Sequence, residues 1–160
     1  KYGTGIELVN AGIGGENSRE ALERIDTEIR LHSPDLVLVM HGIVDINYEF
    51  PRYPIVRSNL AEMFRIVKLR GAVPIAGTYP LINPEGFRAM GAANIPRLND
   101  VIRQEAKGKA TLIADHEAAA AAEYAGQGSD GVHPNNIGYE TMARTWFDTI
   151  ELVLEEMTSP

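Results

Sequence analysis

The sequence predicts an α/β domain built on a doubly wound parallel sheet, three layers deep. Three observations carry that reading. Four short apolar runs lack polar alternation, which marks strands buried on both faces. Segments of helical periodicity separate them. The two types then alternate strand by helix from one end of the chain to the other, as a parallel sheet covered by helices requires.

The first run is IELVN, Ile6 to Asn10. Asn17 followed by Glu20 forms a capping-box pattern, and Leu22, Ile25 and Ile29 recur at helical spacing as far as about Leu31, where Ser33-Pro34 stops the helix. LVLVM, Leu36 to Met40, is the second strand. A helix with Leu60, Met63, Phe64 and Val67 on one face follows and ends at Gly71. VPIAG, Val73 to Gly77, is the third strand. The next helix carries Ile95, Leu98 and Ile102 and ends near Gly108, before the fourth strand TLIAD, Thr111 to Asp115. The alanine run in EAAAAAEY, Glu117 to Tyr124, predicts a short helix. The last helix starts around Asn135, with Met142, Trp146, Ile150, Val153 and Leu154 toward the core and Glu140, Glu151, Glu155 and Glu156 toward solvent.

At 160 residues and 44% hydrophobic, the chain fits one globular domain, 1–160, with a sizeable core. Its 15 basic residues against 22 acidic ones give a net charge of −7 with no basic cluster, which argues against nucleic acid and against anionic membranes. There is no cysteine, hence no disulfide, thiolate nucleophile or thiolate metal site. No apolar run approaches the roughly 18 residues a membrane helix needs, so the chain reads as soluble, and either a cytoplasmic or a secreted setting fits. A neutral small molecule is the expected ligand class.

In such a fold, ligands bind beyond the carboxyl ends of the strands. After the first strand comes NAGIGGENS, whose Gly12, Gly14 and Gly15 can turn tightly and present N–H groups at a helix N-terminus. A dinucleotide fingerprint would want a third glycine at position 17, where Asn17 stands; an oxyanion donor at Gly15 and a plain strand-to-helix turn remain open. HGIVDINYEF follows the second strand. Its Asp45 fits a catalytic, a turn-capping or a loop-holding role, and His41 fits a packed histidine. TYPLINPEGF, Thr78 to Phe87, is long enough to line a pocket. A metal site from Asp115, His116, Asp130 and His133 is conceivable, but the spacing matches no common zinc pattern. In SDGVHPNNIGYETMA, Asp130 and His133 sit three residues apart in a turn that runs into a helix, an arrangement in which a carboxylate orients an imidazole base.

These residues together resemble the SGNH hydrolases, also called the GDSL esterase and lipase family. VNAGIGGENS is similar to that family's second block, with Gly15 as the oxyanion glycine. HGIVDIN stands where the third block, Gly-x-Asn-Asp, belongs, with Gly42 and Asp45 matching and Val44 in place of the amide donor. DGVHPNNIGYETMA resembles the fifth block, with Asp130 and His133 as acid and base of the triad. The implied fold is flavodoxin-like, and the implied chemistry is serine-dependent hydrolysis of a small-molecule or carbohydrate ester, with no metal or organic cofactor. Val44, Asp45 and Asn47 then line the substrate side. Valine cannot donate, and losing one oxyanion donor costs about 100- to 1,000-fold in rate; Asn47 is the candidate substitute.

The family's first block, Gly-Asp-Ser with the nucleophile, has no counterpart here. Ser18 is explained by the helix start, and Ser33, Ser58, Ser129 and Ser159 do not match the motif. The resemblance places the missing strand between Ile6–Asn10 and Leu36–Met40, so its absence would open a gap of about 10 Å, two inter-strand spacings. The expectation is a longer parent polypeptide, with the first block cleaved, disordered or supplied by an N-terminal segment or a second chain. The alternative is a non-catalytic SGNH-like domain that binds carbohydrate.

Overall fold

A computed structural model describes residues 5–47, 50–81, 83, 85–87, 89–109, 111–120 and 130–158. Three strands, β1 (Leu36–Val39), β2 (Val73–Gly77) and β3 (Leu112–Ala114), form a parallel sheet in the order β1-β2-β3. Leu36 pairs with Val73, and Ile75 with Leu112. The helices among the described residues are α1 (Ser18–His32), α2 (Ile43–Ile46), α3 (Tyr53–Leu69), α4 (Ile95–Gly108), α5 (His116–Ala120) and α6 (Asn136–Thr158). The four-residue α2 and a 3-10 turn at Ala89–Asn94 are too short to carry a periodicity, so the sequence does not announce them.

The Asn17 side chain accepts the N–H groups of Arg19 and Glu20, and the Glu20 carboxylate accepts the Asn17 N–H at 2.9 Å, completing the capping box of α1. Val39 and Ala76 meet Leu60, Phe64, Leu98 and Ile102 in one core, which places α3 and α4 on that face. The next residue, Gly77, faces the opposite side, where a Cβ would lie 2.5 Å from Trp146 Cζ2 on α6. Helices thus cover both faces, as the sequence predicts. Truncating Leu60 or Phe64, both essentially buried, would cost about 2–5 kcal/mol.

Two expectations are corrected. Ile6–Asn10 is not a strand of this sheet: among the described residues the stretch pairs with no strand, and Ile6 is 61% and Leu8 85% exposed. Its composition suits a strand, but strand backbone needs a neighbour to satisfy its N–H and C=O groups. The outer edge of β1 is likewise unpaired, and Leu38, in register with the buried Ile75, is 39% exposed. The second correction concerns α6, where Thr149 and Val153 are buried while Met142, Trp146, Ile150 and Leu154 are half-buried. Among the described residues, α6 lies over α5, β3 and β2.

At the end of β2, Tyr79 is held by Asn99 of α4: the Tyr79 N–H donates to Asn99 Oδ1, and Asn99 Nδ2 donates to the Tyr79 carbonyl, both at 2.8 Å and both buried. From there the chain leaves the sheet toward the 3-10 turn.

Candidate active site

Asp130, Gly131 and His133 occupy the turn before α6. One Asp130 oxygen accepts the N–H groups of Val132 (3.0 Å) and His133 (2.9 Å), which folds the turn around the carboxylate. Gly131 supplies the positive φ, 83°, that the turn needs. The other oxygen takes His133 Nδ1 at 2.6 Å. An ionised carboxylate only accepts, so Nδ1 carries the proton and Nε2 is the basic nitrogen. The hydrogen bond from the His133 ring, helped by the two backbone N–H groups, holds the Asp130 carboxyl far below the usual range. The carboxylate is well covered and the imidazole is 60% exposed, so the base projects outward with Nε2 unpartnered among the described residues.

The loop after β2 braces this turn. Asn83 N–H donates to the Gly131 carbonyl at 3.0 Å, and Gly86 lies so near that a Cβ there would sit 2.3 Å from Gly131 Cα. Only glycine permits that backbone-on-backbone approach. Gly86 lies far from the dyad in sequence, and no local pattern announces it.

Gly15 sits in the turn before α1 with φ 80°, and among the described residues nothing accepts its N–H. Beside it, the Glu16 side chain is only 4% exposed and is gripped by Arg24, whose Nε reaches Oε1 at 2.5 Å and Nη2 reaches Oε2 at 2.8 Å. The same Nη2 donates to the Ala11 carbonyl at 2.5 Å. His41 Nε2 lies 3.7 Å from Glu16, and burial pushes its pKa down, so it faces Glu16 as a neutral ring at neutral pH.

Gly42 begins α2 with φ 122°, and a Cβ there would meet Leu98 Cδ1 at 2.7 Å. Val44 is half-buried within α2. Asn47 is exposed at its end, its N–H donating to the Val44 carbonyl at 3.3 Å. Asp45, 4% exposed, accepts the Ser18 N–H at 2.8 Å and the Ser18 hydroxyl at 3.1 Å, while Asn59 donates to the same hydroxyl at 2.9 Å. Of the roles open to Asp45, this geometry fits the loop-holding one: its carboxylate joins α1 to α2. Ser18, fully buried, is equally closed to attack on a substrate.

At the end of β3, Asp115 is paired with Arg103, which also reaches Glu117, and accepts from Thr78. His116 is buried against the edge of Trp146, ring centroids 4.9 Å apart. Among the described residues no three histidine or carboxylate side chains converge as metal ligands. Ser129, Ser159 and part of the predicted alanine helix lie outside the described residues.

The sequence profile of the GDSL-like lipase/acylhydrolase family matches residues 1–141. The chain belongs to this family. Within it, an arylesterase of Vibrio mimicus is 32% identical over 72 residues, which are 45% of this chain and 36% of that protein, so the match spans well under half of the relative. The lipase/acylhydrolase from Enterococcus faecalis superposes with a TM-score of 0.79 at 21% identity, covering 89% of this chain and 74% of that one. An acetylxylan esterase from Geobacillus stearothermophilus gives 0.76 at 24% identity, over 89% and 71%. The psychrotrophic esterase EstA from Pseudoalteromonas sp. gives 0.74 at 22%, over 94% and 80%. These likenesses establish the shared flavodoxin-like fold of the GDSL hydrolases. No described helix of this GDSL chain is long and apolar enough to cross a membrane.

Proposed function

We propose that this chain supplies the acid and base of a serine ester hydrolase. The observation that carries the reading is the Asp130–His133 pair, a 2.6 Å contact that fixes the imidazole tautomer and turns Nε2 outward. In the proposed reaction a serine Oγ attacks the ester carbonyl while its proton passes to His133 Nε2. The same proton then goes to the departing alkoxide as the C–O bond breaks, leaving an acyl-serine that water, activated by His133, hydrolyses. Gly15 N–H takes the oxyanion, and Val44 and Asn47 border the reacting carbonyl. The substrate is a small-molecule or carbohydrate ester, and the mechanism uses no cofactor.

The serine belongs to a strand set beside β1, on a preceding segment or a second chain. The exposed Leu38 and the unpaired, apolar Ile6–Asn10 support such a slot. The test is labelling with a fluorophosphonate and turnover of short acyl esters by the polypeptide that includes any Gly-Asp-Ser segment. Stoichiometric phosphonylation of that serine is expected; neither labelling nor turnover would sink the hydrolase reading. A second reading, a non-catalytic domain that binds carbohydrate, draws support from Val44 at the donor position and from the buried Ser18. Intact mass and N-terminal sequencing of the native protein separate the two, since a product beginning at Lys1 with no partner chain favours binding.

A further inference from the structure

We infer that Arg24 and Glu16 are positioning residues that set the Gly15 N–H for the reaction. The inference rests on the oxyanion role proposed for Gly15. That residue has the backbone freedom of an exposed glycine at φ 80°, in a turn whose backbone hydrogen bond among the described residues is a long one, from Glu16 N–H to the Ile13 carbonyl at 3.3 Å. Left to itself such a turn would sample many orientations of its N–H groups. Arg24 removes that freedom from outside. It projects from α1, which is fixed by its capping box and by the Asp45–Ser18 contacts. Its guanidinium grips the carboxylate of Glu16 with two nitrogens, Nε and Nη2, and the Ala11 carbonyl with Nη2, so both ends of the 11–16 turn are tied to one planar group.

The pair is also chemically secured. Glu16 is held ionised because the Arg24 hydrogen bonds, the largest influence, outweigh the burial that opposes its charge. His41 faces the same carboxylate, and Glu28 lies 3.5 Å from the other side of the guanidinium. Burial keeps His41 neutral at pH 7, so Arg24 is the cation that balances Glu16. A lysine could match the charge but not the fork that reaches Glu16 and Ala11 together.

Two measurements test this. In the 160-residue chain, Arg24→Gln should speed exchange of the Glu16 amide, which donates to the Ile13 carbonyl, by at least about tenfold, with β2 amides unchanged. Arg24→Lys should recover part of that protection, and Glu16→Gln, which keeps an acceptor, should fall between. In the ester-hydrolysing full-length form, Arg24→Gln should lower kcat by about 10- to 100-fold with KM little changed, and Arg24→Lys should regain part of the loss. Unchanged exchange in Arg24→Gln overturns the clamp. A loosened turn with full kcat, or a loss confined to KM, overturns its link to the reaction. A full-length form that turns over no ester refutes the hydrolase reading alone, and the exchange result still decides whether Arg24 holds the turn.

Discussion

His116 gives the sharpest quantitative expectation. Its ring is 1% exposed, stands edge-on to Trp146, and among the described residues has neither nitrogen hydrogen-bonded. Burial lowers its pKa from an ordinary 6.5 to about 4, with neighbouring Asp115 opposing only in part. Above pH 6.5 the ring is neutral in both folded and unfolded chains and costs nothing. Between 6.5 and 4 only the unfolded chain takes the proton, so stability falls as pH drops; below 4 both states are protonated and the loss is complete. The full span of about 2.5 units amounts to about 3 kcal/mol, of which about 2 kcal/mol appears between about pH 6.5 and pH 5. For a chain of this length that is a fall in Tm of about 4–8 °C over the upper part of the window. The carboxylates Glu16, Asp115 and Asp130, whose pKa values are lowered, lose their contributions only as pH falls through and below the ordinary carboxylate range, so they barely enter. His41, also lowered by burial, adds a slope of the same sign, which is why the comparison is between variants. His116→Leu gives up an aromatic edge contact worth about 0.5–1.5 kcal/mol. It also removes two unpartnered nitrogens, each costing about 1–3 kcal/mol, so it should be neutral or stabilising at pH 7. Its Tm should fall less on acidification. Thermal melts of both proteins across the window measure this directly, and an identical drop in His116→Leu would refute the argument.

Three further outcomes are expected. In the ester-hydrolysing form, His133→Ala should abolish turnover and Asp130→Asn should lower it by about 1,000- to 10,000-fold, with melting curves close to the parent's; an active His133→Ala removes the assignment. Val44→Asn should raise kcat by up to about 100-fold if position 44 is the donor site, whereas an unchanged rate together with a sharp loss in Asn47→Ala would make Asn47 the donor. Gly86→Ala sets a Cβ 2.3 Å from Gly131 Cα, a backbone atom that cannot rotate aside, so the dyad turn must shift. Kinetics and melts should show kcat down by about 100-fold for about 1–3 kcal/mol of stability, and full activity would show that the two loops are not coupled.

What was legible in the sequence is what local forces decide. Val73–Gly77 announces itself because burial on both faces leaves no room for polar alternation, and Leu36–Val39 and Leu112–Ala114 are apolar runs of the same kind, although Leu38 and Leu112 are exposed. The α1 start is written in Asn17 and Glu20, and the dyad in Asp130 and His133, because each pair interacts within one turn of chain. Ile6–Asn10 misled for the complementary reason, since composition states what a strand would bury but not whether a neighbour is beside it. The Arg24–Glu16 grip bridges a turn and a helix at no regular spacing, and the Gly86–Gly131 contact joins loops that only the sheet brings together. The lone Val44 could be read as a departure, but the role of Asp45 needed the Ser18 contacts to be seen.

Asn99 has a wider consequence. By matching both the N–H and the C=O of Tyr79, its amide acts as a strand one residue long and seals the sheet where the chain departs. The stretch that follows Tyr79 is thereby decoupled from β2: changes in its length or composition need not unzip the strand, because the seam is closed by a helix side chain rather than by the stretch itself. Its tie is instead to the dyad turn, through Asn83 and Gly86, so a new substrate preference grafted there has to keep those two contacts while the sheet beneath stays closed.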